Sequence, residues 1–232
     1  MTIELIGFDG DDTLWHSERY FVLTQERVAG LLAPWVDAER FDEALLATER
    51  ANLARFGYGV KGFLLSTIET AITLTDERVP ASVIHQIVQW GKELLDHPVE
   101  LLDEVADTVD ALARDHRLVL ITKGDLFHQE TKVATSGLAE RFEGVEIVSE
   151  KDPATYERIL ARLGVPPERF VMVGNSLRSD ILPAVQLGGR GVHVPYHVTW
   201  QLEEAELPEA LDGRVRRIDR LGQLPAVLHT LR

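Results

Sequence analysis

Cysteine is absent from this sequence of 232 residues. Its absence excludes disulfide scaffolds, thiolate zinc sites, iron–sulfur clusters and cysteine nucleophiles, so any metal has to be held by oxygen or imidazole ligands. Basic residues are also scarce, with 24 Lys and Arg against 38 Asp and Glu and a formal net charge of −14. This balance argues against a nucleic-acid partner, because binding to a phosphate backbone draws on clustered Lys and Arg.

Long apolar runs are lacking too. No stretch stays apolar for the roughly 18 residues that a membrane span needs, so we expect no membrane partner. The amino terminus has no basic segment and soon meets acidic residues, which fits neither a signal peptide nor a transit peptide. We therefore expect a cytoplasmic protein, monomeric or homodimeric, whose 45% hydrophobic content is enough for a substantial core.

Apolar segments of strand length alternate with helical patterns over most of the chain. The predicted strands are residues 3–8, 117–122, 145–149, 169–174, 191–195 and about 215–218. Such a βα series implies an α/β fold with a doubly wound parallel sheet covered by helices, in a Rossmann-like arrangement.

The segment between the first two predicted strands has a different pattern. From about Ser17 to Pro98, apolar residues recur three and four positions apart, which is typical of long amphipathic helices. A simple βα connection takes only roughly 2–6 residues, so this segment is far too long for one. We predict an α/β core of residues 1–16 and 97–232 with an inserted all-helical domain of residues 17–96.

Polar residues follow the predicted strands directly, where ligands bind in open α/β sheets. Asp9 and Asp11 follow the first strand, and Asp180 follows the fourth after a short gap. Converging carboxylates repel each other unless a cation compensates them. Magnesium suits such a site because it prefers oxygen ligands and is commonly shared between carboxylates and a phosphate. Thr122 after the second strand and Lys151 after the third would then contact the non-bridging phosphate oxygens.

Four ordered motifs resemble those of the haloacid dehalogenase-like hydrolases. They are FDGDDTLW at residues 8–15, LITKG at 120–124, EKDPATY at 150–156 and VGNSLRSDI at 173–181. An isolated acidic turn of this kind is also compatible with simple helix capping, but a cap does not explain the other three motifs. The resemblance implies that the inserted helices form a cap domain. It further implies a magnesium-dependent phosphatase that acts on a small phosphorylated metabolite.

The same resemblance assigns roles to single residues. Asp9 becomes the nucleophile that forms an aspartyl-phosphate, and Asp11 the general acid and base, for which we expect a raised pKa. Thr122 and Lys151 become phosphate-binding residues. Lys123 stays open between a substrate contact and an exposed charge.

The fourth motif departs from the family pattern at Asn175, where relatives commonly carry a metal-binding aspartate. Asn ligates through its carbonyl oxygen and brings no charge. We therefore predict a metal site made of Asp9, Asp11, Asn175 and Asp180, and which of the last two ligates directly stays open.

Several alternatives remain at this stage. A haloacid dehalogenase lacks the second aspartate, which counts against it here, whereas a phosphomutase keeps the same catalytic residues. A phosphonatase needs an imine-forming lysine, for which Lys61 and Lys92 are the choices in the insertion. A non-catalytic binding protein is favoured only by Asn175. His193 and His197, near the fifth strand, are expected to have structural or peripheral roles.

Overall fold

The structure is a computed structural model, and it describes residues 3–231, except for the side chain of Asp212. The chain folds as two compact units. The first comprises the described residues up to Glu18, residues Val99–Lys123 and the chain from Gln129 onwards, and the second comprises Arg19–Pro98 and Gly124–His128.

One six-stranded sheet forms the centre of the first unit. Its strands are β1 (Leu5–Phe8), β2 (Arg117–Lys123), β3 (Gly144–Val148), β4 (Phe170–Gly174), β5 (Arg190–His193) and β6 (Val215–Arg217). They lie in the order β3-β2-β1-β4-β5-β6, and every neighbouring pair is parallel. The predicted α/β class with a parallel sheet is confirmed, and strand ends differ from the prediction by a residue or two.

Both faces of the sheet are buried, which explains why its central strands are apolar at nearly every position. In β1, Ile6 and Phe8 face one hydrophobic cluster, whereas Leu5 faces another. Val171 and Val173 of β4 join the first cluster, and Phe170 and Met172 join the second. This alternation follows from the two-residue period of side chains along a strand, and helices cover each face.

Nine α-helices are described between residues 3 and 231. They are α1 (Glu18–Leu32), α2 (Ala38–Phe56), α3 (Val60–Leu74), α4 (Ala81–Leu95), α5 (Val105–Leu112), α6 (Leu126–Thr135), α7 (Pro153–Leu163), α8 (Leu182–Gln186) and α9 (Leu224–Leu228). None of these described helices is both long and apolar enough to cross a membrane.

Helices α1–α4 supply the second unit with its own hydrophobic core. Leu32, Phe41, Leu45, Val60 and Ile87 are almost fully buried there. Their spacing along each helix matches the three-and-four periodicity of the sequence. Between residues 19 and 98, the regular secondary structure that is described consists of these helices.

Two short segments of the first unit pair where the chain leaves for α1 and returns after α4. Trp15 bridges Leu101 in an antiparallel manner. The His16 N–H donates to the Glu100 carbonyl at 3.0 Å, and the Leu102 N–H donates to the Leu14 carbonyl at 3.0 Å. We call this pairing of residues 14–16 with 100–102 the stem.

The segment after β4 does not begin as an ordinary α-helix. Residues Leu177–Ile181 form a π-helical turn, and the α-helix α8 begins only at Leu182. The wide turn brings Asp180 back onto the start of the segment, where its Oδ2 accepts from the Ser176 N–H at 2.9 Å. Single π turns occur frequently at functional sites, because they reposition a side chain.

Candidate active site

The predicted site residues lie at or after the carboxyl ends of four adjacent strands. Asp9 follows β1, Thr122 lies near the end of β2, Lys151 comes after β3 and Asn175 follows β4. The Asp9 N–H donates to the Val173 carbonyl at 2.9 Å, which fixes Asp9 between the two neighbouring strands. The strand order changes direction around β1, so Asp9 stands at the position where open α/β sheets bind their ligands.

A tight turn follows Asp9. The Leu14 N–H donates to the Gly10 carbonyl at 2.8 Å, and a Cβ at Gly10 would lie 2.7 Å from the Trp15 ring.

Asp12, within this turn, adopts a left-handed backbone conformation with φ of 62°. Its carboxylate accepts from the Ser17 N–H at 2.8 Å and so caps the start of α1. Burial, followed by the charge of Asp11, raises the pKa of Asp12 to about 8. Its contacts give Asp12 a structural role.

Lys151 joins two buried carboxylates. Its Nζ donates to Asp9 Oδ1 and, at 2.7 Å, to Asp180 Oδ1. The side chains of Lys151, Asp9 and Asp180 are 2%, 9% and 1% exposed, so this cluster is nearly removed from water. One ammonium therefore faces two carboxylates, and a negative charge is left over when both are ionised.

Local capping explains how the sequence places Lys151 there. Asp152, the next residue, accepts from the Thr155 N–H at 2.8 Å and is the N-cap of α7, with Pro153 at the first helical position. Proline suits that position because its missing N–H would have no helical partner. Gly174 allows Asp180 to approach, since a Cβ at Gly174 would lie 2.2 Å from Asp180 Oδ2.

The surplus negative charge changes the pKa of the candidate nucleophile. Burial and then the charge of Asp180 raise the pKa of Asp9 to about 7, against the opposing effect of Lys151. Burial lowers the pKa of Lys151, but the charges of Asp180 and Asp9 outweigh burial and raise it overall. Lys151 is therefore a fixed positive charge. Any further cation placed beside Asp9 would favour its ionised form.

Asp11 has three donors around its carboxylate. Trp15 Nε1 and Lys132 Nζ donate to its Oδ1 at 2.6 and 2.8 Å, and Gln129 Nε2 donates to its Oδ2 at 3.0 Å. Burial raises the pKa of Asp11, but Lys132 and these hydrogen bonds prevail, and the pKa is lowered. The expectation of a raised pKa is therefore wrong for this arrangement, because no spacing in the sequence shows that Lys132 lies beside Asp11.

Gln129 links Asp11 to Thr122. Its Nε2 lies 3.0 Å from Thr122 Oγ1 and 2.6 Å from the Lys123 carbonyl, so its two N–H groups are shared among these two oxygens and Asp11 Oδ2. The atom that faces Asp11 and this carbonyl has to be the nitrogen, because both of them are acceptors. Gln129 Oε1 is buried without a hydrogen-bond partner among the described protein atoms.

Thr13 connects Asp9 with Asn175. Its hydroxyl lies 3.2 Å from Asp9 Oδ2 and 3.4 Å from Asn175 Oδ1, and it accepts from the Asn175 N–H at 3.0 Å. His193 Nε2 donates to the Asn175 carbonyl at 2.9 Å, which supports the strand end from the other side. This contact fits the structural role expected for His193, whose pKa is lowered chiefly by burial.

Lys123 has partners that sequence reasoning did not identify. Its Nζ donates to Glu203 Oε1 at 2.6 Å and to Ser179 Oγ at 2.8 Å, and it lies 3.4 Å from Glu150 Oε1. Glu203 also accepts from the Ser176 hydroxyl at 2.7 Å. These contacts favour a role for Lys123 in holding the fourth motif in place over a role in substrate binding.

Oxygen donors around Asp9 fit a hard cation. Asp9 Oδ2 and Asn175 Oδ1 converge on the Thr13 hydroxyl, whereas both oxygens of Asp180 already accept from Lys151 and the Ser176 N–H. No cluster of three or more His, Asp or Glu side chains in the described part of the chain is arranged to hold a metal by itself. Magnesium needs no such cluster, since it commonly takes one or two carboxylates together with waters and a substrate phosphate.

Lys61, one of the two lysines considered for an amine mechanism, forms an ion pair in the second unit. Its Nζ lies 2.8 Å from Asp125 Oδ2. An imine-forming lysine needs its amine free to attack the substrate carbonyl, whereas this amine is engaged by a carboxylate. The ion pair therefore counts against Lys61 as an imine-forming residue.

Comparison with known proteins extends over nearly the whole chain. A family model described as haloacid dehalogenase-like hydrolase matches residues 3–188. A glyceraldehyde 3-phosphate phosphatase from Methanothermobacter thermautotrophicus is 32% identical over 233 residues, covering 97% of this chain and 100% of that protein. A haloacid dehalogenase-like family hydrolase from Xanthomonas campestris has a TM-score of 0.88 and 46% identity, covering 99% of this chain and 92% of that one. A 2-haloacid dehalogenase from Pseudomonas syringae pv. Tomato DC3000 has a TM-score of 0.62 and 25% identity, covering 99% of both chains.

Proposed function

Since this chain belongs to the haloacid dehalogenase-like hydrolase family, we propose that it is a magnesium-dependent phosphatase that hydrolyses a small phosphomonoester through an aspartyl-phosphate. The observation that carries the proposal is the position of Asp9 at the end of the central strand, paired through Lys151 with Asp180. The relative named as a glyceraldehyde 3-phosphate phosphatase supports a phosphate ester as substrate.

The proposed reaction has two steps. In the first, an ionised Asp9 oxygen forms a bond to phosphorus, the ester P–O bond breaks, and Asp11 gives its proton to the leaving oxygen. In the second, Asp11 takes a proton from water, the water oxygen bonds to phosphorus, and the bond to Asp9 breaks. Inorganic phosphate leaves and Asp9 is restored. Asp11 is ionised in the described arrangement, which is the form that acts as base in the second step. The proton that it gives in the first step is one that it keeps from the second step of the preceding cycle or takes up from water before the ester reacts.

Lys151 and Thr122 assist by holding the phosphate. The Lys151 ammonium neutralises charge beside Asp9, and the Thr122 hydroxyl, which lies 3.5 Å from the Lys123 carbonyl, would donate to a non-bridging oxygen. Magnesium, held by Asp9 and Asn175, would neutralise further charge on the phosphate. Asp180 would act on it indirectly by fixing Lys151.

Asp11 also favours a phosphatase over a dehalogenase of the same fold. Halide departure needs no proton, so a second carboxylate near the nucleophile has no task in that reaction. Here three side-chain donors hold Asp11, and two of them, Gln129 and Lys132, come from α6. Such support suits a residue that transfers protons.

Hydrolysis of p-nitrophenyl phosphate tests the proposal. We expect phosphate release with magnesium and loss of that release in excess chelator, because magnesium offsets the negative charge around Asp9. Chloride release from 2-chloropropionate is measured in parallel. Dehalogenation without phosphatase activity, or full turnover in chelator, would contradict the proposal.

Replacing Asn175 tests the metal site. Asn175→Asp adds a carboxylate where the amide oxygen now lies close to the Thr13 hydroxyl. We expect the half-saturating magnesium concentration to fall by about tenfold, and Asp180→Asn to raise it. The measurement is the magnesium dependence of turnover at saturating substrate. Unchanged values for both variants would remove the fourth motif from the metal site.

A further inference from the structure

Helix α6 presents two polar side chains to the loop that follows β1. Gln129 and Lys132 are three positions apart, so they lie on the same face of the helix. Gln129 is 2% exposed and the Lys132 side chain is 12% exposed. Long polar side chains are seldom buried to this degree unless they have partners, and both reach Asp11.

We propose that Lys132 is a positioning residue for proton transfer, which holds the Asp11 carboxylate against the leaving oxygen and then against water. This inference rests on the proposed phosphatase reaction. Lys132 Nζ lies 2.8 Å from Asp11 Oδ1 and 3.3 Å from Ser17 Oγ, so it ties the acid and base to the start of α1. Trp15 fixes the same oxygen at 2.6 Å.

Gln129 completes this support from the other side. Its Nε2 reaches Asp11 Oδ2 and Thr122 Oγ1, each at 3.0 Å. A single amide therefore sets the separation between the proton-transferring carboxylate and the hydroxyl assigned to the phosphate. Lys132 and Trp15 fix one Asp11 oxygen and Gln129 fixes the other, so the carboxylate cannot rotate without losing contacts.

Positioning of a proton donor predicts a dependence on the leaving group. A nitrophenolate departs without much help, whereas an alkoxide needs a proton as the P–O bond breaks. Loss of Lys132 should therefore slow alkyl esters far more than nitrophenyl esters. It should leave KM nearly unchanged, because Lys132 is assigned no contact with the phosphate.

The experiment measures kcat and KM for p-nitrophenyl, phenyl and propyl phosphate with magnesium. For Lys132→Met we expect kcat to fall roughly 10- to 100-fold on propyl phosphate and only a few-fold on p-nitrophenyl phosphate. Lys132→Arg, which keeps the charge, should recover most of the loss. Gln129→Met should show a smaller loss with the same trend, and Glu130→Gln, on the exposed face of α6, serves as the control.

The outcomes separate this inference from the proposed function. An equal loss on all three esters, a change in KM alone, or a faster Lys132→Met enzyme would overturn the role of Lys132. A wild type inactive on every ester would overturn the proposed function and the catalytic role with it.

Thermal denaturation tests the contact itself: Lys132→Met should lower Tm by roughly 3–8 °C in the wild type and by less in an Asp11→Asn background. Equal decreases in the two backgrounds would also overturn the inference.

Discussion

Asp9→Asn is expected to lower turnover of phosphate esters by a factor on the order of 10⁴ or more. The amide keeps the shape of the side chain and its place at the end of β1, but it cannot form the bond to phosphorus. No covalent phosphoenzyme should then accumulate, whichever substrate is supplied. Rapid quenching followed by intact-mass measurement detects the added phosphoryl group in the wild type and its absence in the variant.

Substitutions of two further aspartates in the same loop test whether the effect is specific to Asp9. Asp11→Asn should still allow slow phosphorylation of Asp9 by p-nitrophenyl phosphate, because that leaving group needs little protonation. Asp12→Asn is the matched control: its oxygen still caps α1, and asparagine tolerates the left-handed backbone at this position. We expect Asp12→Asn to keep turnover within a few-fold of the wild type. Equal residual rates for Asp9→Asn and Asp11→Asn on every ester would contradict their separate roles.

Lys151→Met is expected to lower the free energy of unfolding by about 3–5 kcal/mol. The substitution removes the ammonium between Asp9 and Asp180 and leaves two buried carboxylates without a cation. Urea denaturation at pH 7 in the presence of chelator measures the effect. Chelator is needed because a bound divalent cation would replace part of the lost charge.

The pH dependence of this loss has a definite sign. Burial and then the charge of Asp180 raise the pKa of Asp9, and loss of Lys151 removes the opposing effect that lowers it. The unfavourable contribution of Asp9 is then absent below its unfolded pKa of about 4 and grows as pH rises and the folded state resists ionisation. The difference from the wild type should therefore be larger at pH 8 than at pH 5. Asp180→Asn introduced into Lys151→Met should restore part of the stability; no restoration would show that carboxylate repulsion is not the cause.

The sequence predicted the sheet because burial on both faces leaves a direct record in the strands. Val171 and Val173 pack on one side and Phe170 and Met172 on the other, so β4 is apolar throughout. Strand ends could be predicted for the same reason, since polar residues begin where burial stops. The position of Asp9, directly after the apolar strand β1, could be predicted from that rule.

The polar partners of the site were harder to predict because they are distant in sequence. Glu203 lies 80 residues from Lys123, and no pattern relates the two. Gln129 and Lys132 left a weak signal, as polar residues on the inner face of an amphipathic helix, but their target depends on how α6 packs. The π turn that places Asp180 was also missed, because its residues have the composition of an ordinary helix start.

The stem has a consequence for how such proteins diversify. Residues 14–16 and 100–102 are hydrogen-bonded to each other, so the inserted segment begins and ends at neighbouring points of the first unit. Doubling the length of a flexible loop between such fixed points costs only about 0.6 kcal/mol of closure entropy. An ancestral gene could therefore gain, lose or exchange the segment by recombination at the stem while the aspartates at the strand ends kept their places.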